Sequence, residues 1–450
     1  METIMTRSPR FAFNFSLTIA IAFAVASSLD AQSTNDSTWT QFRGTDGHSS
    51  VTADTPSKWT EDDYVWKVDL PGRGWSSPVY ANNEIWLTAA SEVELSEEDQ
   101  KKKLEGLEYA QIKTVAGAIT MYALCVDLTT GELIKSIELG TENNPQPSNA
   151  MNSYASPTCA IADGKVVCHF GAYGTWCLNA DSKEVVWDRK FVVDHSVGPG
   201  SSPIIDSGNV ILVCDGTDEQ YIAAVNLETG ADVWKTDRPE IKAESVEYKK
   251  AYSTPIVCDV EDGGRQAIVP GANWICGYDV KTGEEIWRAK YGFGFSVTPM
   301  AVFAEGNVVF STGYGKSEFV SIKPGKGDIT ESIQWRARNA SQMSSFVADQ
   351  GTIYATSDRP GVLRSINAKT GEEITKKRFL ANVSSSILKA GNNLYIGSRD
   401  GIMKVVKCDP KLEEVSSFDF GSGIYATPVT VGDDLLVRTK DFMVRIRNKK

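Results

Sequence analysis

The chain has 450 residues, 58 Asp and Glu against 46 Lys and Arg, and a net charge of −12. An acidic chain without a basic cluster excludes nucleic acid as a partner, because that affinity is built from Lys and Arg neutralising phosphates. Three histidines and eight cysteines, with no Cys-x-x-Cys and so no haem-attachment signature, leave too few converging ligands for a metal site.

At the N-terminus, Arg7 and Arg10 precede the apolar run FAFNFSLTIAIAFAVASS, and SLDA before Gln32 supplies small residues at a cleavage position. This predicts a signal peptide over residues 1–31 and a periplasmic or secreted mature protein. Asn14, Ser16 and Thr18 interrupt the apolar run, so a retained membrane helix is not expected, and nothing later in the chain approaches an integral span. No cysteine lies near the cut, so no lipid anchor is expected.

Next comes DYVWKVDL, an isolated strand carrying Trp66. Beyond it a strand-opening phrase recurs eight times: WSSPVY at Pro78, YASPTC at Pro157, GSSPII at Pro203, YSTPIV at Pro255, SVTPMA at Pro299, MSSFVA at Phe346, SSSILK at Ile387 and YATPVT at Pro428. Seven of the eight phrases lie 41 to 52 residues from a neighbour, and only the first interval, 79 residues, is longer. Within each unit, short apolar or alternating runs start from Gly or Asn turns, as in GNVILVCDG, GNVVFSTG and GTIYATSD. A Thr-Gly turn at 130/131, 229/230, 282/283 and 370/371 joins the last two strands, and Trp187, Trp234, Trp287 and Trp335 occupy equivalent places after the turn position. Lys135 and Thr375 stand at that place in weaker copies.

A period of this length in an all-β pattern predicts an eight-bladed β-propeller of four-stranded antiparallel blades over residues 39–448. The eighth unit lacks both Thr-Gly and Trp, so residues 64–70 are expected to supply its outer strand and close the ring. The tryptophans are expected to be structural, each burying its ring against the neighbouring blade.

The long first interval places an insertion at 91–112. Ser96 followed by Glu97, Glu98 and Asp99 predicts a short helix, with Leu104, Leu107 and Ile112 as its apolar stripe. A packed decoration, a partner-docking element or a lip on the central opening are the roles open to it. The cysteines sit in apolar runs and are expected as buried thiols; Cys159–Cys168 is the nearest pair if a disulfide forms.

The unit Asp-x-x-Thr/Ser-Gly-x-x-x-Trp resembles the pyrroloquinoline quinone (PQQ)-like β-propeller repeat. That repeat is shared by quinoprotein alcohol dehydrogenases and by the scaffold lipoprotein of the outer-membrane β-barrel assembly machinery. WTQFRGTDGHS, NSYASPT and CDGTDEQY make the chain similar to exported PQQ-like propeller proteins of planctomycete-type bacteria. The resemblance implies PQQ with calcium in a dehydrogenase; those enzymes carry an adjacent Cys-Cys pair over the quinone, and this sequence has none. The expectation is therefore a non-catalytic, monomeric binding or assembly scaffold, without a resident cofactor, for an envelope protein or a polysaccharide ligand. A PQQ-dependent oxidoreductase is the alternative, and a hydrolase or lyase using the loop carboxylates is the third reading.

Polar loops beside the inner strands supply the candidate ligand-binding residues: Arg73, Trp75, Tyr154, His169, Asp215, Asp218, Arg238 and Asn273. No catalytic residue is assigned, because order along a chain does not show proximity.

Overall fold

In the computed structural model, residues 1–2, 38–261 and 263–448 are described, and those from 38 onward form one compact unit. The expected signal peptide lies outside the described residues apart from its first two. Among the described residues no helix is long and apolar enough to cross a membrane.

Eight sheets surround a central channel. The first blade comprises Val79–Ala81, Glu84–Val93, Ala118–Asp127 and Leu133–Asn143, paired in that order and antiparallel throughout. Six further blades repeat this meander over 160–189, 204–237, 256–290, 302–338, 347–380 and 388–419. The eighth has three strands of its own, Val429–Val431, Asp434–Arg438 and Phe442–Ile446. Tyr64–Asp69 completes it antiparallel to the last, with Trp66 opposite Arg445. The ring closes as the sequence predicts, which removes the sheet edge that an open array would expose.

The blades are joined through the repeated tryptophan. Its indole N–H donates to a carbonyl at the Thr-Gly turn of the next blade: Trp66 to Leu128 at 3.1 Å, Trp187 to Leu227 at 2.8 Å, Trp234 to Val280 at 3.2 Å and Trp335 to Ala368 at 3.0 Å. The ring lies over the glycine of that turn so closely that a Cβ built on Gly131, Gly230, Gly283 or Gly371 would come within 3 Å of the indole. Each of these glycines has φ near +70°, so the turn needs glycine for its backbone and again for the approach of the ring. The turn is held by its leading Asp or Asn, as where Asp127 Oδ1 accepts the N–H groups of Thr129 and Thr130.

Where the indole is missing, so is the glycine. Lys135 replaces Trp in the first blade, and the facing left-handed position of the second blade is Lys183, φ 63°. Thr375 replaces it in the sixth, and the seventh blade has Leu412, φ 53° and fully buried, in its outer turn. Trp287 departs from the pattern: it is fully buried but bonds Gln266 of its own blade at 2.8 Å.

The insertion forms a helix at Glu97–Leu104, capped by Ser96 accepting the Asp99 N–H at 3.1 Å. The expected apolar stripe does not form, because Leu107 and Ile112 are exposed. All eight cysteines are free thiols; Cys159 and Cys168 face each other at 3.5 Å.

Two histidines are buried in neutral form. Burial lowers His169 to about 3, with His195 acting the same way, and His169 Nδ1 meets Thr175 Oγ1 at 2.7 Å. Burial lowers His195 to about 4 against the pull of Asp194 and Asp218, and its Nε2 accepts the Ala172 N–H at 2.8 Å.

Two measurements test these contacts. Gly208 has φ 75° and open space around it, whereas Gly230 has φ 68° beneath Trp187. Gly208→Ala should cost about 1 kcal/mol of backbone strain in urea denaturation, and Gly230→Ala about 3 kcal/mol because the indole is also displaced. Equal losses would remove the docking contact from the account. For the histidines, a folded pKa below the unfolded 6.5 means that the unfolded chain binds more protons as pH falls, so stability is lost from about pH 6.5 downward. Each histidine should cost about 2 kcal/mol at pH 5, offset by about 1 kcal/mol from each of Asp215 and Asp358, whose carboxyls burial raises to about 6. His195→Gln should therefore lose less stability than the native chain between pH 7 and 5.

Candidate functional site

The site is built by the strand-opening phrases. The residue two places before each innermost strand faces the channel, and the residue two places earlier faces it again, because side chains alternate along extended backbone. Seven positions of the lower tier line the cavity and all are hydroxyls: Ser77, Thr158, Ser202, Thr254, Ser345, Ser386 and Thr427; Met300 holds the fifth-blade position and is buried in the core instead. Thr158 and Met300 lie after the prolines of their phrases, so in the second and fifth blades the phrase is offset by two residues from its position elsewhere.

Six of these hydroxyls link neighbouring blades. Ser77 Oγ accepts the Thr427 N–H, Thr158 Oγ1 that of Ser77, Ser202 Oγ that of Thr158, and Thr254 Oγ1 that of Ser202, all at 2.9–3.0 Å. Ser345 and Ser386 accept from Met300 and Ser345 at 3.0 Å.

The upper tier is mixed: Trp75, Tyr252, Met343 and Tyr425 are large, whereas Ser156, Gly200, Thr298 and Ser384 leave space. Trp75 and Tyr425 stack with ring centroids 4.1 Å apart and planes 6° from parallel, and Trp75 Nε1 donates to Met151 O at 3.0 Å. Phe295 and Tyr314 extend the aromatic wall, and Tyr109 and Ile112 from the end of the insertion form part of the lip. Tyr109 OH meets Tyr248 OH at 2.9 Å, which ties that lip to the loop before the fourth blade.

The cavity has a volume of ≈ 500 Å³ and is closed at its far end. Residues 39–51 cross the channel there. Trp39 exchanges two backbone hydrogen bonds with Tyr80 of the first blade, Thr40 O accepts from Ile161 of the second, and Ser50–Val51 pairs parallel to Lys389–Ala390 of the seventh. Arg43, fully buried in this crossing, donates to Phe346 O of the sixth blade at 2.6 Å. Phe42 contributes to the cavity wall.

One ionic cluster lies in the wall. Glu247 accepts from Lys113 at 2.9 Å, from Ser196 at 2.7 Å, and from Lys250. Burial acts to raise the Glu247 carboxyl, but these donors hold it below the usual carboxylate value. Burial holds Lys250 below the usual ammonium value despite Glu247.

Of the eight residues expected from the sequence, Trp75 lines the cavity. Arg73 stands behind it, 5.1 Å from the indole, donating to Asn152 O at 2.6 Å and Ala150 O at 3.3 Å. The others are not brought together. Tyr154 is buried against Tyr173 with its hydroxyl on Gln146 O, and His169 is held by Thr175 within the second blade. Asp215 and Arg238 form a fully buried pair at 3.4 Å beside Gly271, an ion pair tying loops together. Asp218 is exposed and accepts the Asp194 N–H, and Asn273 adopts φ 64° in a turn bonded to Gly294. These loop positions are recruited to hold the rim because their polar groups satisfy backbone donors and acceptors behind it.

Sequence reasoning missed Tyr252, Met343 and Tyr425, although each opens a phrase used to count the repeats. The signal was the period of two within the phrase, read upstream of the strand.

The cavity offers no free carboxylate to a calcium-held quinone. Its wall carries one carboxylate, Glu247, already engaged by two lysines and a serine, whereas calcium needs six to eight oxygen ligands. Among the described residues no group of three or more His, Cys, Asp or Glu is arranged to hold a metal ion.

Comparison with known proteins agrees with this architecture. The BamB of Moraxella catarrhalis superposes with a TM-score of 0.57 at 12% identity, covering 85% of this chain and 99% of that one. A quinohemoprotein alcohol dehydrogenase from Comamonas testosteroni gives 0.62 at 11% identity, covering 92% and 81%. At such identities the likeness shows the fold alone. Methanol dehydrogenase [cytochrome c] subunit 1 of Methylorubrum extorquens is 38% identical over 68 residues, 15% of this chain and 10% of that one, so the match spans about a tenth of that relative's length. Residues 122–377, more than half of the chain, match the family model described as outer membrane protein assembly factor BamB, and the chain belongs to this family of PQQ-like β-propellers.

Proposed function

We propose that this chain is an exported, non-catalytic binding propeller that receives its ligand at the open mouth of the plugged channel. The observation that carries the reading is the makeup of the cavity: aromatic, thioether and hydroxyl groups suited to contact, with its one carboxylate neutralised in an ionic cluster. Such a wall supplies area and hydrogen bonds. It offers no free general base beside a nucleophile. The ligand in this reading is a segment of an envelope protein or the end of a polysaccharide, and the rim formed by Trp75, Tyr425 and Met151 is where it enters. Family membership supports a scaffold role, since the family is described as an assembly factor.

The alternative, a PQQ-dependent oxidoreductase, is favoured by the short match to methanol dehydrogenase and by the shared fold. Purified protein incubated with PQQ and Ca²⁺, then gel-filtered, separates the two. We expect no stoichiometric quinone absorbance and no dye-linked alcohol oxidation; finding both would overturn the binding reading.

Two further outcomes are expected. Retention of an envelope protein or polysaccharide on the immobilised protein should fall about tenfold, about 1.4 kcal/mol, in a Trp75→Ala, Tyr425→Ala variant of unchanged melting temperature. In fractionated cells the mature chain should lie outside the cytoplasm with a new N-terminus near Gln32. An intact N-terminus in the cytoplasm would reject export.

A further inference from the structure

The charges buried around the channel do not sum to zero, although the chain as a whole is strongly acidic. In the Glu247 cluster two ammonium groups, Lys113 and Lys250, meet one carboxylate, and all three side chains are at most 7% exposed. Lys250 lines the cavity and donates to Glu247 through its carboxylate and its backbone carbonyl, leaving its third N–H without a protein partner. Arg438 is fully buried behind the hydroxyl tier of the first blade, donating to Ser76 O at 2.8 Å, Ser76 Oγ at 2.6 Å and Thr88 O at 3.2 Å, and to no carboxylate. Arg43, in the crossing segment below, donates to His48 O and Phe346 O, while its Nε and Nη1 make no hydrogen bond among the described residues. Burial lowers these two guanidinium groups to about 10 and about 9, so both remain charged at neutral pH. Asp215 and Arg238 cancel each other. Asp358, held by the backbone N–H groups of Gln342, Met343 and Ser344, is the one further buried carboxylate among the described residues; Asp46 and Glu108, which act on Arg43 and Lys250, are exposed to solvent, where their charge is screened.

The hydroxyl tier has a matching polarity. Each of the six linking hydroxyls spends a lone pair on a backbone N–H from a neighbouring blade, and none donates to a protein acceptor among the described residues. A Ser or Thr hydroxyl has one proton to give. A buried donor left unpaired is costly, so the ring presents O–H groups in need of acceptors. Above the ring, Trp75, Tyr425, Phe295, Tyr314 and Met343 make the wall apolar.

We propose that the channel is an anion site: it takes a small molecule or chain end whose carboxylate or phosphate oxygens meet the hydroxyl tier within the positive wall, while an apolar body faces the aromatic rim. This rests on the binding reading above and narrows its ligand class.

Calorimetric titration of the full chain with four probes of one shape tests it: phenylacetate, phenyl phosphate, 2-phenylethanol and 2-phenylethylamine. The expected result is binding of one or both anions at least about tenfold tighter than the alcohol, with the amine weakest. The better of the two anions identifies the headgroup. Lys250→Met should weaken the anions about tenfold and leave the alcohol unchanged. Thr427→Val, which removes a tier hydroxyl without orphaning a backbone N–H, should weaken the anions severalfold, and the alcohol again reports that the cavity is intact. Alcohol binding as tight as the anions, or an anion affinity indifferent to both substitutions, would overturn the anion site while leaving a binding propeller in place. Failure of every probe to bind at millimolar concentration would also overturn it. The underlying binding reading is overturned separately, by quinone uptake with alcohol oxidation.

Discussion

Four of the eight junctions in this ring are fixed by a large flat ring from one sheet lying on a bare turn of the next. A four-stranded blade cannot bury both faces alone, so each must be fixed to its neighbour at a defined angle. The indole supplies the area and, through its N–H, the direction; the glycine supplies the space. The pairing is coupled within one chain: Gly131, Gly230, Gly283 and Gly371 lie beneath indoles, while Lys183 and Leu412 occupy left-handed turn positions where no indole arrives. Those two junctions are held by other means. Lys183 reaches back to Glu84 of the first blade, and Lys377 donates to Leu412 O at 3.0 Å across the sixth and seventh. Outer contacts of this kind fix the positions of the inner strands, and so the diameter of the channel.

The channel in turn acquires its chemistry from a structural necessity. Where the chain descends into six of the innermost strands, its backbone N–H groups lie too far inside for a sheet partner, and hydroxyls of adjacent blades accept them. Serine and threonine therefore recur at the tier for the sake of the backbone, and their protons are left facing the cavity. The same residues that close the ring polarise its interior. The segment at 39–51 adds the second condition, since a channel open at both ends would be a pore, while one crossed by backbone is a pocket with a floor. The chain seals its ring twice near the N-terminus, once by this crossing and once by the strand containing Trp66.

The repeat was legible because it is written in residues with strong local consequences. Thr-Gly after Asp or Asn specifies a turn, Trp at a fixed distance specifies a docking contact, and the orphan strand at Trp66 specifies closure. The candidate site was less legible. Residues such as His169, Asp215 and Arg238 drew attention by their chemistry, and the structure uses them to satisfy one another or the backbone behind the wall. Trp75 alone was both conspicuous and placed in the cavity. Tyr252, Met343 and Tyr425 stood inside the phrases that marked the repeats, where their regularity read as framework.

By itself the sequence determined the number of blades, the four-stranded meander, the point of closure and the docking of tryptophan on glycine, because each follows from interactions between residues close in sequence or repeated at a fixed period. Only the tertiary structure decided which side chains share the channel, that residues 39–51 close one end, and that the buried charges around it are unbalanced. Those facts depend on eight segments separated by tens to hundreds of residues meeting on one axis, and no local pattern encodes which members of a repeat will face one another across it.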